Sequence, residues 1–175
     1  MRFIPNILSS LRLVMAFVFP FAPENSWIWL VFASGCTDFL DGWIARRWQV
    51  ASWQGGLLDA VADKTFVLVV LLSMAWAGKF SYWFIPVLLA RDLTVAFTAA
   101  YASVLRLWHS FQEMDARWSG KIATAGQFLL FVVVLLFPAY TKLVLIVAVL
   151  FSSVASIDYG WLFVKALQDR ARKMR

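Results

Sequence analysis

Four aspartates lie within one short segment of this chain, DFLDGWIARRWQVASWQGGLLDAVAD, which spans residues 38–63. They are four of only ten acidic residues in the sequence. Asp38 and Asp41 are three residues apart and Asp59 and Asp63 are four apart, so each pair falls on one face of a helix. Four close carboxylates cannot all stay ionised without cations between them, and oxygen ligands favour hard ions such as Mg²⁺, Mn²⁺ or Ca²⁺.

The elements that carry these aspartates are predicted to be membrane helices. The chain has 175 residues, of which 62% are hydrophobic and 15% charged, more apolar surface than a soluble domain of this length can bury. A spanning helix needs about 20 mostly apolar residues. Apolar segments at about 5–22, 26–47, 55–78, 82–105, 120–138 and 141–167 therefore predict an all-α polytopic membrane protein with six transmembrane helices and one domain, 1–175.

The distribution of basic residues predicts the orientation. With six spans, twelve Lys and Arg lie on the side of the termini and only Lys79 and Lys142 on the other side. This bias places both termini in the cytoplasm. The basic carboxyl-terminal tail then lies against anionic lipid headgroups, which accounts for much of the net charge of +6. Nucleic-acid binding is therefore not expected. A secretory signal at the amino terminus is disfavoured because Arg12 interrupts its apolar core.

Depth along the helices predicts that the aspartates meet. At 1.5 Å per residue, Asp38 lies about 13 Å and Asp41 about 9 Å from the cytoplasmic end of the second span. Asp59 lies about 6 Å and Asp63 about 12 Å into the third span. Antiparallel neighbours would therefore form one cluster in a cavity open to the cytoplasm. Four carboxylates can hold two ions about 4 Å apart, an arrangement that suits phosphoryl transfer.

The residues between the two aspartate pairs suit a phosphate-bearing ligand. Gly42, Ala45 and Gly55 are small enough to let a base or a diphosphate approach the backbone. Arg46 offers a planar fork for phosphate oxygens.

The spacing Asp-x2-Asp-Gly-x2-Ala-Arg-x8-Gly-x3-Asp-x3-Asp, from Asp38 to Asp63, resembles the signature of the CDP-alcohol phosphatidyltransferase family. The six-helix topology of that family extends the resemblance over essentially the whole chain. It implies an enzyme of phospholipid biosynthesis in the inner (cytoplasmic) membrane. The enzyme would bind CDP-diacylglycerol, an acceptor hydroxyl would attack the β-phosphorus, and CMP would leave. The family also implies a homodimer.

The resemblance implies roles for individual residues. Two ions, Mg²⁺ or Mn²⁺, would be bound by the four aspartates, with Asp63 also acting as general base. The cytidine would lie against Gly42, Ala45 and Gly55, with Arg46 near the diphosphate.

The acceptor is less well specified. The stretches IPNILSSLR, LLDAVADK, ARDL and GKIATAGQ resemble those of bacterial phosphatidylglycerophosphate synthases, which implies glycerol 3-phosphate, although Ala60 and Ala123 depart from that pattern. Cardiolipin synthases of the same family share much of this sequence pattern, and inositol-phosphate and serine remain alternative acceptors. The candidate acceptor residues are Arg91, Arg106, Arg117, Lys121, Asn6 and Arg12. For Arg91, an internal ion pair with Asp158 is an equal alternative, since Asp92 is expected to point elsewhere on the helix.

Two rival functions explain less of the sequence. A divalent-cation transporter would also place carboxylates inside spans, but its pathway should continue to the far side, where acidic residues are nearly absent. An aspartate-rich membrane prenyltransferase also binds a diphosphate, but its aspartate motifs are far apart in sequence and its bundle has more helices.

Overall fold

The computed structural model describes the backbone of residues 4–48, 53–104 and 118–173. Within these ranges the protein consists of helices and short turns, with no strand, which confirms the all-α class. The helices are α1 (Ile4–Val18), α2 (Glu24–Trp48), α3 (Trp53–Trp76), α4 (Phe84–Leu88), α5 (Ala90–Val104), α6 (Trp118–Leu136) and α7 (Thr141–Lys173), with 3₁₀ turns at Phe19–Phe21 and Pro138–Tyr140.

The predicted apolar segments correspond closely to these helices, except that the fourth segment is two helices. The break falls at Leu89, whose backbone adopts φ −91° and ψ 0°. The carbonyl oxygen of Leu88 accepts hydrogen bonds from Gln127 Nε2 at 2.7 Å and from Ser152 Oγ at 2.8 Å. Side chains that insert into the backbone ladder in this way end or kink a helix.

The chain divides into two compact units, Met1–Tyr82 with Phe131–Thr141, and Trp83–Leu130 with Lys142–Arg175. In the first unit, α1 packs against both α2 and α3. Phe19 lies at the centre of this packing, with its ring stacked on Trp27 at 5.0 Å and edge-on to Phe66 at 6.0 Å. Phe19 and Phe66 are fully buried, so their aromatic contacts fix α1 beside the aspartate-bearing helices.

The second unit is joined by buried polar contacts. Besides the contacts at Leu88, Thr94 Oγ1 on α5 lies 2.7 Å from Ser156 Oγ on α7. Thr94 Oγ1 also donates to the carbonyl of Ala90 one turn earlier, at 2.8 Å. These bonds satisfy polar groups that would otherwise be costly among apolar side chains.

One helical stretch of the described residues is long and apolar enough to cross a membrane, Pro138–Lys165, which has 28 residues. Two shorter apolar stretches are Asn6–Phe21 and Ile122–Leu136. The apolar stretch of α7 suggests membrane association. The six spans and the cytoplasm-facing cavity stay predictions.

Candidate active site

An arginine from α1 joins the aspartate pairs of α2 and α3. Arg12 Nη1 lies 2.8 Å from Asp59 Oδ1 and 3.4 Å from Asp38 Oδ1. Ser9, one turn earlier on α1, has its Oγ 3.4 Å from the same Asp59 oxygen. Because α1 packs against both helices, its side chains at positions 9 and 12 can reach carboxylates that are twenty-one residues apart in sequence.

The burial of these three charged groups is unequal. The Arg12 side chain is 0% exposed, whereas Asp38 is 45% and Asp59 40% exposed. A buried guanidinium is tolerated only when anions or hydrogen-bond acceptors surround it. The two carboxylates therefore bind Arg12 on their inner side while about half of each side chain stays open to the surroundings.

Asp63 belongs to the same electrostatic environment. Asp38 interacts electrostatically with Asp63 and Asp59, as well as with Arg12 and Lys64. Asp63 is only 16% exposed, and its Oδ2 lies 2.8 Å from Lys64 Nζ. Asp63 is thus more enclosed than Asp38 and Asp59, and it has a cation beside it.

The residues present fit a divalent cation at Asp38 and Asp59. Their oxygens reach one and the same nitrogen, so the two carboxylates are close enough to share a cation, and all donors are hard oxygens. Among the described side chains, no three acidic, histidine or cysteine residues are grouped closely enough to hold an ion. The side chain of Asp41 lies outside the described residues, so the four-carboxylate site stays a prediction.

Several other predicted site residues also fall outside the description. These are the surroundings of Gly42, the side chains of Ala45, Arg46 and Lys121 within helices, and the whole of Arg106 and Arg117. Gly55 lies half-buried near the start of α3, and Asn6 lies half-buried on the first turn of α1. Arg12, predicted to contact the acceptor, lies against two of the predicted metal ligands, and its acceptor role stays a prediction.

Arg91 forms a separate polar cluster in the second unit. Its Nη1 lies 2.9 Å from Asp92 Oδ1 and donates to Thr124 Oγ1 at 3.1 Å. The guanidinium also lies over the ring of Tyr159, 5.8 Å from the ring centre. Asp92 was expected to point elsewhere on the helix because it is adjacent to Arg91. That expectation was wrong, since the long arginine side chain can reach the carboxylate of its neighbour.

The Arg91 cluster has two further features. Arg91 Nε is buried and has no hydrogen-bond partner in the described part of the chain. A Cβ atom at Gly120 would lie 2.7 Å from Tyr159 Oη and 2.8 Å from Arg91 Nη2, closer than real Cβ atoms come to other atoms. Gly120 is therefore the residue that lets the arginine and the tyrosine approach the backbone of α6.

Sequence reasoning did not find the partners in either cluster. Ser9 and Arg12 carry a signal, since they are three residues apart and share a face of α1. Gly120 and Tyr159 carry none in isolation, because their contact depends on the packing of α6 beside α7.

Comparisons with known proteins support the resemblance found in the sequence. Residues 2–154 match the family model of the CDP-alcohol phosphatidyltransferases. A probable phosphatidylglycerophosphate synthase of Mycobacterium tuberculosis is 32% identical over 94% of this chain and 81% of its own length. A CMP-forming cardiolipin synthase of Streptomyces coelicolor is 37% identical over 69% of this chain and 59% of its own length. A CDP-diacylglycerol–glycerol-3-phosphate 3-phosphatidyltransferase of Cereibacter sphaeroides is 35% identical over 65% of this chain and 60% of its own length.

The match covers both aspartate pairs and most of the described helices, and enzymes of this family in general use divalent metal ions. The aspartates that converge on Arg12 lie within the matched range. The chain belongs to the CDP-alcohol phosphatidyltransferase family and is a transferase of phospholipid biosynthesis.

Proposed function

We propose that this enzyme transfers the phosphatidyl group of CDP-diacylglycerol to a hydroxyl of glycerol 3-phosphate. In this reaction the acceptor oxygen forms a bond to the β-phosphorus, the bond between that phosphorus and the CMP oxygen breaks, and CMP leaves. The observation that carries the proposal is the convergence of Asp38 and Asp59, from two helices, on one cation position. Carboxylates held this close at the surface of a diphosphate site suit phosphoryl transfer.

The chain's own residues have distinct roles in this proposal. Asp38, Asp41, Asp59 and Asp63 bind divalent ions, Mg²⁺ or Mn²⁺, and two such ions would neutralise the diphosphate and improve CMP as a leaving group. Asp63 takes the proton of the acceptor hydroxyl. Its low exposure supports this role, since the carboxylate is partly shielded from bulk water.

The cytidine diphosphate part of the lipid would be bound by residues between the aspartate pairs. Gly42, Ala45 and Gly55 would line the cytidine, and Arg46 would contact the diphosphate. Small residues on the face that carries the aspartates support this assignment, because a flat base needs close approach to the backbone.

Arg91 supports a phosphate-bearing acceptor. Asp92 and Thr124 orient its guanidinium, and its buried Nε, which has no partner among the described residues, could donate to an anionic oxygen. Glycerol 3-phosphate presents a phosphate dianion that such a donor set would bind. In this proposal Arg106, Arg117, Lys121 and Asn6 add further polar contacts to the acceptor.

A cardiolipin synthase is the second candidate. The 37% identity to the Streptomyces enzyme favours it, and the acceptor would then be phosphatidylglycerol. Relatives named phosphatidylglycerophosphate synthase and putative cardiolipin synthase match similar shares of this chain, 94% and 92%. The preference for glycerol 3-phosphate therefore rests on the Arg91 cluster.

The enzyme would act in the inner membrane as a homodimer, with its termini and active site facing the cytoplasm. Large apolar side chains on the helix surfaces support a lipid environment: Phe17 is 75%, Trp29 72%, Trp76 85% and Ile157 72% exposed. The excess of basic residues near the termini supports the orientation.

The test is product analysis with purified enzyme and CDP-diacylglycerol in mixed micelles. Radiolabelled glycerol 3-phosphate and labelled phosphatidylglycerol are supplied in separate reactions, each with Mn²⁺, with Mg²⁺ or with EDTA. We expect label from glycerol 3-phosphate in a lipid product, one CMP released per product, and no turnover in EDTA.

Other outcomes decide between the alternatives. Label incorporated only from phosphatidylglycerol would replace the acceptor and make the enzyme a cardiolipin synthase. Full activity in EDTA after removal of bound metal would contradict the proposed role of divalent ions.

A further inference from the structure

Arg12 pairs with two of the aspartates that are proposed to bind a divalent ion. Arg12 is fully buried, and its Nη1 is 2.8 Å from Asp59 and 3.4 Å from Asp38. The Arg12 guanidinium therefore contacts one carboxylate oxygen from each of two proposed metal ligands. Ser9 Oγ, on the same helix face, also points to the Asp59 oxygen and helps fix this arrangement.

The charges determine what a divalent ion meets at this position. Without Arg12, the half-exposed carboxylates of Asp38 and Asp59 would repel each other, together with Asp63, which also acts on Asp38. With Arg12 in place, an incoming ion is repelled by a guanidinium a few ångströms away, at a point where burial weakens screening. Arg12 thus offsets the repulsion between the carboxylates and weakens ion binding through the same contact.

We propose that Arg12 is a resident counter-cation, a positioning residue that holds Asp38 and Asp59 together in the metal-free enzyme and competes with the divalent ion for them. This inference rests on the proposed metal-binding role of the two aspartates. It predicts opposite effects on two quantities when the charge is removed: the metal-free protein becomes less stable, and the affinity for the ion becomes higher.

The test uses the full-length enzyme with the variants Arg12→Gln, which removes the charge, and Arg12→Lys, which keeps it. Mn²⁺ alone is the probe, and no lipid substrate is added. The free Mn²⁺ fraction is measured by electron paramagnetic resonance, and thermal unfolding is followed with and without saturating Mn²⁺. Lys79→Gln is the matched control, because Lys79 pairs with Glu24 at 2.8 Å in the same unit, and Glu24 lies fourteen residues before Asp38 on α2.

We expect Arg12→Gln to bind Mn²⁺ about tenfold more tightly than wild type, which corresponds to about 1.4 kcal/mol. Its Tm without metal should fall, and the rise in Tm on adding Mn²⁺ should exceed that of wild type. Arg12→Lys and Lys79→Gln should keep wild-type affinity. If Arg12→Gln folds only when Mn²⁺ is present, the ion has replaced the lost cation and the proposal is supported.

Three results would overturn the proposal. Unchanged or weaker Mn²⁺ binding in Arg12→Gln would show that Arg12 does not compete with the ion. The proposed function would still stand in that case, because the wild-type enzyme binds Mn²⁺. Failure of Arg12→Gln to fold even with Mn²⁺ would show that the ion cannot take over the role of the guanidinium. Absence of Mn²⁺ binding in wild type and in every variant would instead refute the metal-binding role in the proposed function itself.

Discussion

Replacing Gly120 by alanine should selectively weaken use of the acceptor. The added Cβ would lie 2.7 Å from Tyr159 Oη and 2.8 Å from Arg91 Nη2, well inside the 3.4 Å at which ordinary contact begins. Both atoms are ends of side chains and can move. Because Nη1 of the same rigid guanidinium bonds to Thr124 and Asp92, however, a shift of Nη2 distorts those bonds.

The size of the effect follows from those bonds. Loss of a hydrogen bond or distortion of a charge-assisted one costs about 1–3 kcal/mol. If Arg91 binds the acceptor phosphate, Gly120→Ala should raise the KM for glycerol 3-phosphate by about 5- to 150-fold, since each 1.4 kcal/mol is tenfold. The KM for CDP-diacylglycerol should not change, because that substrate is assigned to residues 38–63.

Steady-state kinetics on purified enzyme measure both KM values. Gly160→Ala is the matched control, since nothing lies within 4 Å of a Cβ placed there. An alanine in that helix should leave both KM values unchanged and slightly raise Tm, because glycine is a poor helix former. A folded Gly120→Ala enzyme with wild-type KM for glycerol 3-phosphate would refute the acceptor role of Arg91. An equal rise in both KM values would show that the substitution does not affect the acceptor selectively.

Three further predictions concern single side chains. Asp63→Asn should reduce kcat by at least about 100-fold, the lower end of what general base catalysis contributes, with Tm close to wild type. The control Glu24→Gln, remote from the site, should leave kcat unaltered. An Asp63→Asn enzyme with wild-type kcat would show that Asp63 is not the base. Ser152→Ala should lower the free energy of unfolding by about 1 kcal/mol in detergent, because it removes one of two donors to the Leu88 carbonyl. An unchanged free energy of unfolding would mean that Gln127 alone satisfies that oxygen. Phe66→Ala should cost about 3–5 kcal/mol, since the ring is fully buried against α1, and a loss under 1 kcal/mol would contradict the described packing of the first unit.

Much of the helical layout could be predicted from hydropathy alone. The segments predicted at 5–22, 26–47 and 55–78 agree with α1, α2 and α3 within a few residues. Apolar periodicity reports where a helix is buried or faces lipid, so long segments of this kind are predicted well. The family was also recognisable, because fixed aspartate and glycine spacings are a local property of the sequence.

The contacts of the two arginines could not be predicted in the same way. The sequence placed Arg12 at an acceptor site and left the partner of Arg91 open between a substrate phosphate and Asp158. Which anion a buried arginine binds depends on the packing of neighbouring helices and on the reach of a flexible side chain. The break at Leu89 was also missed, since it depends on side chains from α6 and α7 that are distant in sequence.

The most direct test of the account is to locate Mn²⁺ by its anomalous scattering in crystals of the enzyme grown in lipid with that ion. We expect an anomalous peak within coordination distance of carboxylate oxygens from both Asp38 and Asp59, with Arg12 Nη1 moved away from them. A peak at other residues, or no peak beside these two aspartates at a Mn²⁺ concentration that supports full activity, would contradict it.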